Sequence, residues 1–260
     1  TLTVNKLPLV TVNPIDVTVC EGTGTSFSVT ATGTGITYQW QEDSGSGFVN
    51  LANGGVYSNV TTATMSISNV VGKGGYRYRA VVSGTCSPAS TSTSATLTER
   101  KNAVVSVPPS DVTICAGNNT TFSVTATGTG LTYQWQESTG GPFANVSNGG
   151  VYSGVTTSTL TLTGVTSGMT GNQYRVVITG TCAPTTSAPG LLTVNTLPLV
   201  TVNPVDATVC EGLGTSFSVT ATGTGITYQW QEDTGTGFVN LANGGVYSNV
   251  TTATMSISNV

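Results

Sequence analysis

The chain has 260 residues, seven basic and eleven acidic side chains, no histidine and a formal charge of −4. That length suits two ordinary domains and a remainder, and the acidic balance leaves neither the phosphate neutralisation that nucleic acid requires nor a polybasic patch for an anionic membrane. Without histidine, Ser/His/Asp and Cys/His catalytic arrangements and His-ligated zinc are excluded, and no apolar run approaches the ~18 residues of a membrane span.

So few charges leave Thr, Ser, Asn and Gly to cover the surface, and Thr suits a pleated strand whose outer face meets water. Trp40, Trp135 and Trp230 are spaced by 95 residues, as are Cys20, Cys115 and Cys210. Over residues 11–70, 37 of 60 positions are identical at an offset of 95 and 55 of 60 at an offset of 190, so two repeat types alternate. In chain order the sequence predicts the last strand of a preceding domain over 1–5, a domain over 8–99, a second over 104–195, and a third over 198–260. The third stops before the segment matching Gly75 to Thr98 and would lack its final two strands, so the window is expected to come from a longer array.

Period-2 alternation gives the strands of the first repeat. Phe27, Val29 and Ala31 point inward while Ser26, Ser28 and Thr30 face water. Next come Ile36, Tyr38 and Trp40, opposed by Thr37, Gln39 and Gln41, and then Ala63, Met65 and Ile67. Tyr76, Tyr78, Ala80 and Val82 follow, with Ala95 and Leu97 last. Gly, Asn and Pro separate these short runs, an all-β signature. Arg77 and Arg79 form a basic pair on one strand, whereas Arg100 and Lys101 fall in a linker and are expected only to solvate it.

In order, DVTVCEGTGTSFSVTATG, ITYQW, TATMSISNV and YRYRAVV resemble strands A′ and B, C, E and F of an immunoglobulin-like domain. The resemblance implies head-to-tail β-sandwiches forming a rod, with Trp40, Trp135 and Trp230 as core tryptophans and Tyr78 and Tyr174 as the strand F tyrosines. The positions of the familiar inter-sheet disulfide are Val29 and Ala80 here, and Val124 and Val176 in the second repeat. The combination TVCEG, TYQWQ, VVSGTC and TLTV is similar to giant Bacteroidota surface proteins, including gliding-motility adhesins of the SprB type exported by type IX secretion. That implies an extracellular bacterial location and a stalk whose partners are neighbouring repeats, with an external surface or polysaccharide met by regions outside this window.

Five cysteines in such a chain read as disulfides. Pairing within domains, Cys20 with Cys86 and Cys115 with Cys182, is one option. In an immunoglobulin sandwich these turns lie at opposite ends, more than ~25 Å apart, so a staple between neighbouring domains from Cys20 to Cys182 is preferred, with Cys86, Cys115 and Cys210 pairing to neighbouring repeats. The rival readings are a glycan-binding module, with Phe48 and Tyr57 or Phe143 and Tyr152 as an aromatic platform, and a surface layer or sheath. Glu42 and Asp43 offer two carboxylates for calcium, but the second repeat has Glu137 and Ser138 there and no suitable ligand spacing. Adjacent on an expected exposed strand end, they make no glycosidase pair either. The expectation is no enzyme, no cofactor, no metal, no nucleic acid and no membrane insertion. Asn59, Asn118, Asn119, Asn145 and Asn249 head Asn-x-Ser/Thr sequons.

Overall fold

The computed structural model describes residues 1–260. The first repeat contains β1 (Leu9–Val12), β2 (Val17–Cys20), β3 (Thr25–Ser28), β4 (Thr30–Thr32), β5 (Thr37–Asp43), β6 (Val49–Asn50), β7 (Tyr57–Ser58), β8 (Thr64–Ile67), β9 (Arg77–Ser83), β10 (Ser90–Thr91) and β11 (Ala95–Arg100). One sheet has the order β2-β11-β9-β5-β6 with β10 beside β9, and the opposing sheet has β3-β8-β7, while β1 pairs with β4. Pro14 cannot donate to a ladder, and there the chain leaves β1 and crosses to the other sheet. Asn13 and Asp16 accept the N–H groups of Thr93 and Thr96 at 2.9 and 2.7 Å, fastening the crossing segment to the approach to β11. β2 then runs parallel to β11, with Val17 opposite Leu97 and Cys20 opposite Arg100.

Alternating side chains from the two sheets meet between them, and Phe27, Trp40, Met65, Ile67, Tyr78 and Leu97 are fully buried there. The Trp40 indole donates to Thr62 O at 2.9 Å, so the large ring is buried without an orphan N–H. Val29 and Ala80 are buried where a disulfide would cross the core in the family resembled, and apolar packing takes its place. Ala31, Ile36, Tyr38, Ala63 and Tyr76 are half-buried rather than in the core, because they lie at or beside strand ends.

The second repeat repeats this plan, with Phe122, Trp135, Leu160, Leu162, Tyr174 and Ile178 fully buried. Its chain is one residue longer between Val165 and Tyr174 than between Val70 and Tyr78, and a short 3-10 turn, Ser167–Met169, takes up the difference.

Residues 198–260 carry no strands equivalent to β9 and β11, and the remaining elements show the effect. The strand Gln231–Asp233 spans three residues where β5 spans seven, and residues 207–210, the counterpart of β2, form no strand for want of a parallel partner. Trp230, expected in a core, is therefore only half-buried, although its indole still donates to Thr252 O at 2.9 Å. Residues 1–5 likewise form no strand, and Leu2 and Val4 are exposed.

Candidate functional site: the junction between repeats

The polypeptide passes from the first sandwich to the second where β11 ends at Arg100. The parallel ladder places Cys20, the last residue of β2, opposite Arg100, and Glu21 extends the ladder by donating its N–H to Arg100 O at 2.8 Å. From the second repeat, the loop after the strand Gln173–Thr179 reaches back to the same point. Its Cys182 is bonded to Cys20 through a disulfide with a Cα–Cα separation of 5.8 Å, and Sγ lies 3.7 Å from Arg100 O. That separation falls within the range a disulfide spans. Neither intra-domain pair, Cys20 with Cys86 or Cys115 with Cys182, is present, and Cys86, Cys115 and Cys210 are free thiols.

A backbone clamp accompanies the bond. Lys101 donates its N–H to Thr129 Oγ1 at 2.9 Å, Thr129 N–H returns to Lys101 O at 3.1 Å, and Thr181 N–H reaches Thr129 O at 3.0 Å. Gly128 sits directly beneath the linker at φ +148°, and a Cβ there would lie 2.8 Å from Asn102 O and 3.0 Å from Ala103 Cα. Only glycine accepts both that conformation and that approach. Past the clamp, Ala103 is buried in the core of the second repeat.

Charges close the junction on its other side. The Lys101 ammonium lies 2.7 Å from Glu99 Oε1 and 3.2 Å from Glu21 Oε2, and Glu21 Oε1 accepts the Asn102 N–H at 2.9 Å. Burial works against the Glu99 carboxylate, but the bonds from Lys101 and the Gly72 N–H outweigh it and hold its pKa below the ordinary value. Lys101 is raised, chiefly by Glu99, with desolvation opposing and Glu21 adding to the rise. Arg100 and Lys101 thus do more than solvate a linker: one supplies the carbonyl that the Glu21 N–H and the Cys182 sulfur both approach, and the other ties two carboxylates together.

The same features recur at the other repeat boundaries. Lys6 N–H reaches Thr34 Oγ1 and Thr196 N–H reaches Thr224 Oγ1, both at 2.9 Å. Cys86 Sγ lies 3.6 Å from Asn5 O, as Cys182 does from Arg100 O. Cys115, ending the strand Val112–Cys115, faces Asn195 as Cys20 faces Arg100.

The remaining candidates lie elsewhere and are engaged in their own domains. Glu42 and Asp43 are not on an exposed strand end. Glu42, two residues on from Trp40, points inward to the hydroxyls of Tyr57 and Tyr78 and to Lys73, 3.4 Å away. Asp43 is 2% exposed and accepts the N–H groups of Gly45 and Gly47 at 2.8 and 2.9 Å, with Arg77 alongside. Those two N–H groups, then Arg77, lower its pKa. Both carboxylates are committed to internal partners on opposite faces of β5. In the second repeat Met169 takes the place of Lys73, and Glu137 instead accepts from Tyr152, Tyr174 and Asn172 at 2.6, 2.7 and 2.8 Å.

No aromatic platform forms. The Arg79 guanidinium covers Phe48 at 3.9 Å and Arg175 covers Phe143 at 4.0 Å, on the outer sheet face, while Tyr57 and Tyr152 turn inward to Glu42 and Glu137. The sequon residues Asn59, Asn118, Asn119, Asn145 and Asn249 are all exposed.

A family model described as a domain of unknown function (DUF8696) matches residues 105–196, which hold the second repeat. No curated protein matches the chain in sequence. Among solved structures, the I-band fragment I67-I69 from titin superposes with a TM-score of 0.68 at 16% identity, over 100% of this chain and 90% of that one. The N-terminal eight Ig domains of Down Syndrome Cell Adhesion Molecule give 0.58 at 16% identity, over 98% of this chain and 33% of that chain. Sidekick-1 immunoglobulin domains 1-5 give 0.54 at 17%, over 99% and 54%. The likeness is one of fold: this chain is an all-β array of tandem immunoglobulin-like sandwiches.

Proposed function

We propose that this chain is a length of a long extracellular filament on a bacterial surface, the stalk of an adhesin that holds an adhesive end away from the cell and transmits force to it. The observation that supports it best is the covalent joint. Consecutive sandwiches are held by the Cys20–Cys182 disulfide and a threonine clamp, and a Glu–Lys–Glu bridge fixes the start of the linker on the first sandwich, where ordinary tandem domains meet through small polar contacts. A disulfide at the joint suits an oxidising, extracellular setting. The similarity of TVCEG, TYQWQ and VVSGTC to gliding-motility adhesins is what supports a Bacteroidota cell surface as the setting and gliding as a process the filament would serve. A glycan-binding role draws less support, because both rings of each proposed platform are occupied by the protein's own Arg or Glu side chains.

Small-angle X-ray scattering of the oxidised chain tests the filament reading. Sandwiches of about 40 Å each, stacked end to end, give a radius of gyration on the order of 30 Å. A compact 260-residue globule would give ~18 Å and an unfolded chain would approach ~55 Å. Either of the last two values would remove the reading.

A further inference from the structure

Tension on a protein follows the shortest covalent path between the points of attachment. In an unlinked chain that path is the whole polypeptide, and every domain that yields adds ~3.3–3.6 Å per residue of extended chain. Here the disulfide joins positions 162 apart in sequence. Cys20 ends β2, ahead of most of the first sandwich, and Cys182 follows the strand Gln173–Thr179, after most of the second.

We propose that the Cys20–Cys182 bond is a load bypass. Tension entering through β1 and β2 crosses from Cys20 to Cys182 and leaves through the strand Gly190–Asn195, so residues 21–181, with the greater part of both cores, lie off the path that bears it. The physiological value of this rests on the filament reading, whereas the bypass itself follows from connectivity.

The recurrence of the cysteines extends the consequence. Cys210 holds the third repeat's counterpart of Cys20, so a thread made of such bonds needs only residues 182–210 to traverse two repeats. That segment is ~100 Å when fully drawn out, against about 80 Å for two folded sandwiches. Two unbonded repeats of 95 residues could reach roughly 650 Å. The segment from Cys86 to Cys115 occupies the corresponding place in the alternate pairs of repeats, so a bonded array carries two interleaved threads and lengthens by about a quarter before covalent bonds take the load. The sandwiches then act as spacers that keep the threads straight, and their unfolding ceases to set the filament's length.

Single-molecule pulling on the full chain, through terminal handles coupled without thiols, tests the bypass. Non-reducing peptide mapping of the same preparation reports the Cys20 to Cys182 pair. The expected result is a fully unfolded contour about 550 Å longer in a phosphine reductant, or in Cys182→Ser, than in the oxidised chain. The reductant arm uses wild-type protein, so poor folding of the variant leaves the comparison intact. Equal contour lengths in the oxidised and reduced states, or free thiols at both positions in the mapped protein, would overturn the proposal. An elongated scattering profile with equal contours defeats the bypass alone, and a compact profile with the 550 Å difference defeats the filament reading alone.

Discussion

Trp135 is fully buried with its indole nitrogen 2.9 Å from Thr157 O, whereas Trp230 has the same bond but is only half-buried. Trp135→Ala is therefore expected to cost its repeat ~3–5 kcal/mol as a large core truncation, read as a lower denaturant midpoint. An unchanged midpoint would count against the packing described. The tyrosines give a second measurement. Burial, and then hydrogen bonding to Glu137, push Tyr152 up to about 12, and Tyr57, Tyr78, Tyr174 and Tyr247 are also raised. A raised phenol favours its neutral form in the folded state. The stability it contributes is present below the ordinary tyrosine pKa of ~10 and is lost as pH rises through the folded value. Part of the phenolate absorbance should thus develop at higher pH in the folded chain than after denaturation. At this scale the sequence was informative about apolar residues, since alternation around Trp40 picks out Phe27, Met65 and Tyr78. It misled about Glu42. The same alternation turns that side chain inward, but a carboxylate reads as surface, and the Tyr57 and Lys73 that receive it are 15 and 31 positions away.

Strands and linker meet at the junction, where two substitutions separate clamp from charge. Gly128→Ala places a Cβ against Asn102 O at an otherwise glycine-only φ, and is expected to destabilise the second repeat by roughly 1–3 kcal/mol, with faster proteolysis at the linker. Glu99→Gln tests the ionic half. Its lowered pKa means that the carboxylate contributes stability above the ordinary glutamate value of ~4.3 and loses it as pH falls through the folded value. Lys101, raised, contributes below ~10.4 and loses its share as pH climbs through its folded value. Thermal melts of wild type and Glu99→Gln should differ at neutral pH and converge in acid below ~4. A constant gap would remove the ion bridge from the account. The linker was the least legible part of the sequence. Lys101 and Thr129 lie 28 positions apart and the two cysteines 162 apart, and no local pattern carries a contact that depends on how two domains meet.

For the molecule as a whole, the disulfide closes a loop of 162 positions, for which chain entropy gives a stabilisation of about 5 kcal/mol. Cys182→Ser should lower the unfolding midpoints of the first two repeats together, a joint shift that an intra-domain bond would not produce. The 95-residue spacing exposes the repeat plan at once, because duplicated sandwiches keep their large aromatic residues in register. The incomplete burial of Trp230 reflects what surrounds it rather than its local sequence, which matches that around Trp40.

The alternation of repeat types also reaches the joints. Where the first repeat meets the second, Glu21, Glu99 and Lys101 supply charge. Where the second meets the third, the equivalent positions are Ala116, Val194 and Thr196, which supply none. A filament built on this plan has joints of two kinds in succession, one with a carboxylate–lysine bridge and one without it. Lowering the pH should then soften every other joint, and micrographs would show bends recurring at roughly 80 Å intervals rather than a uniform loss of straightness.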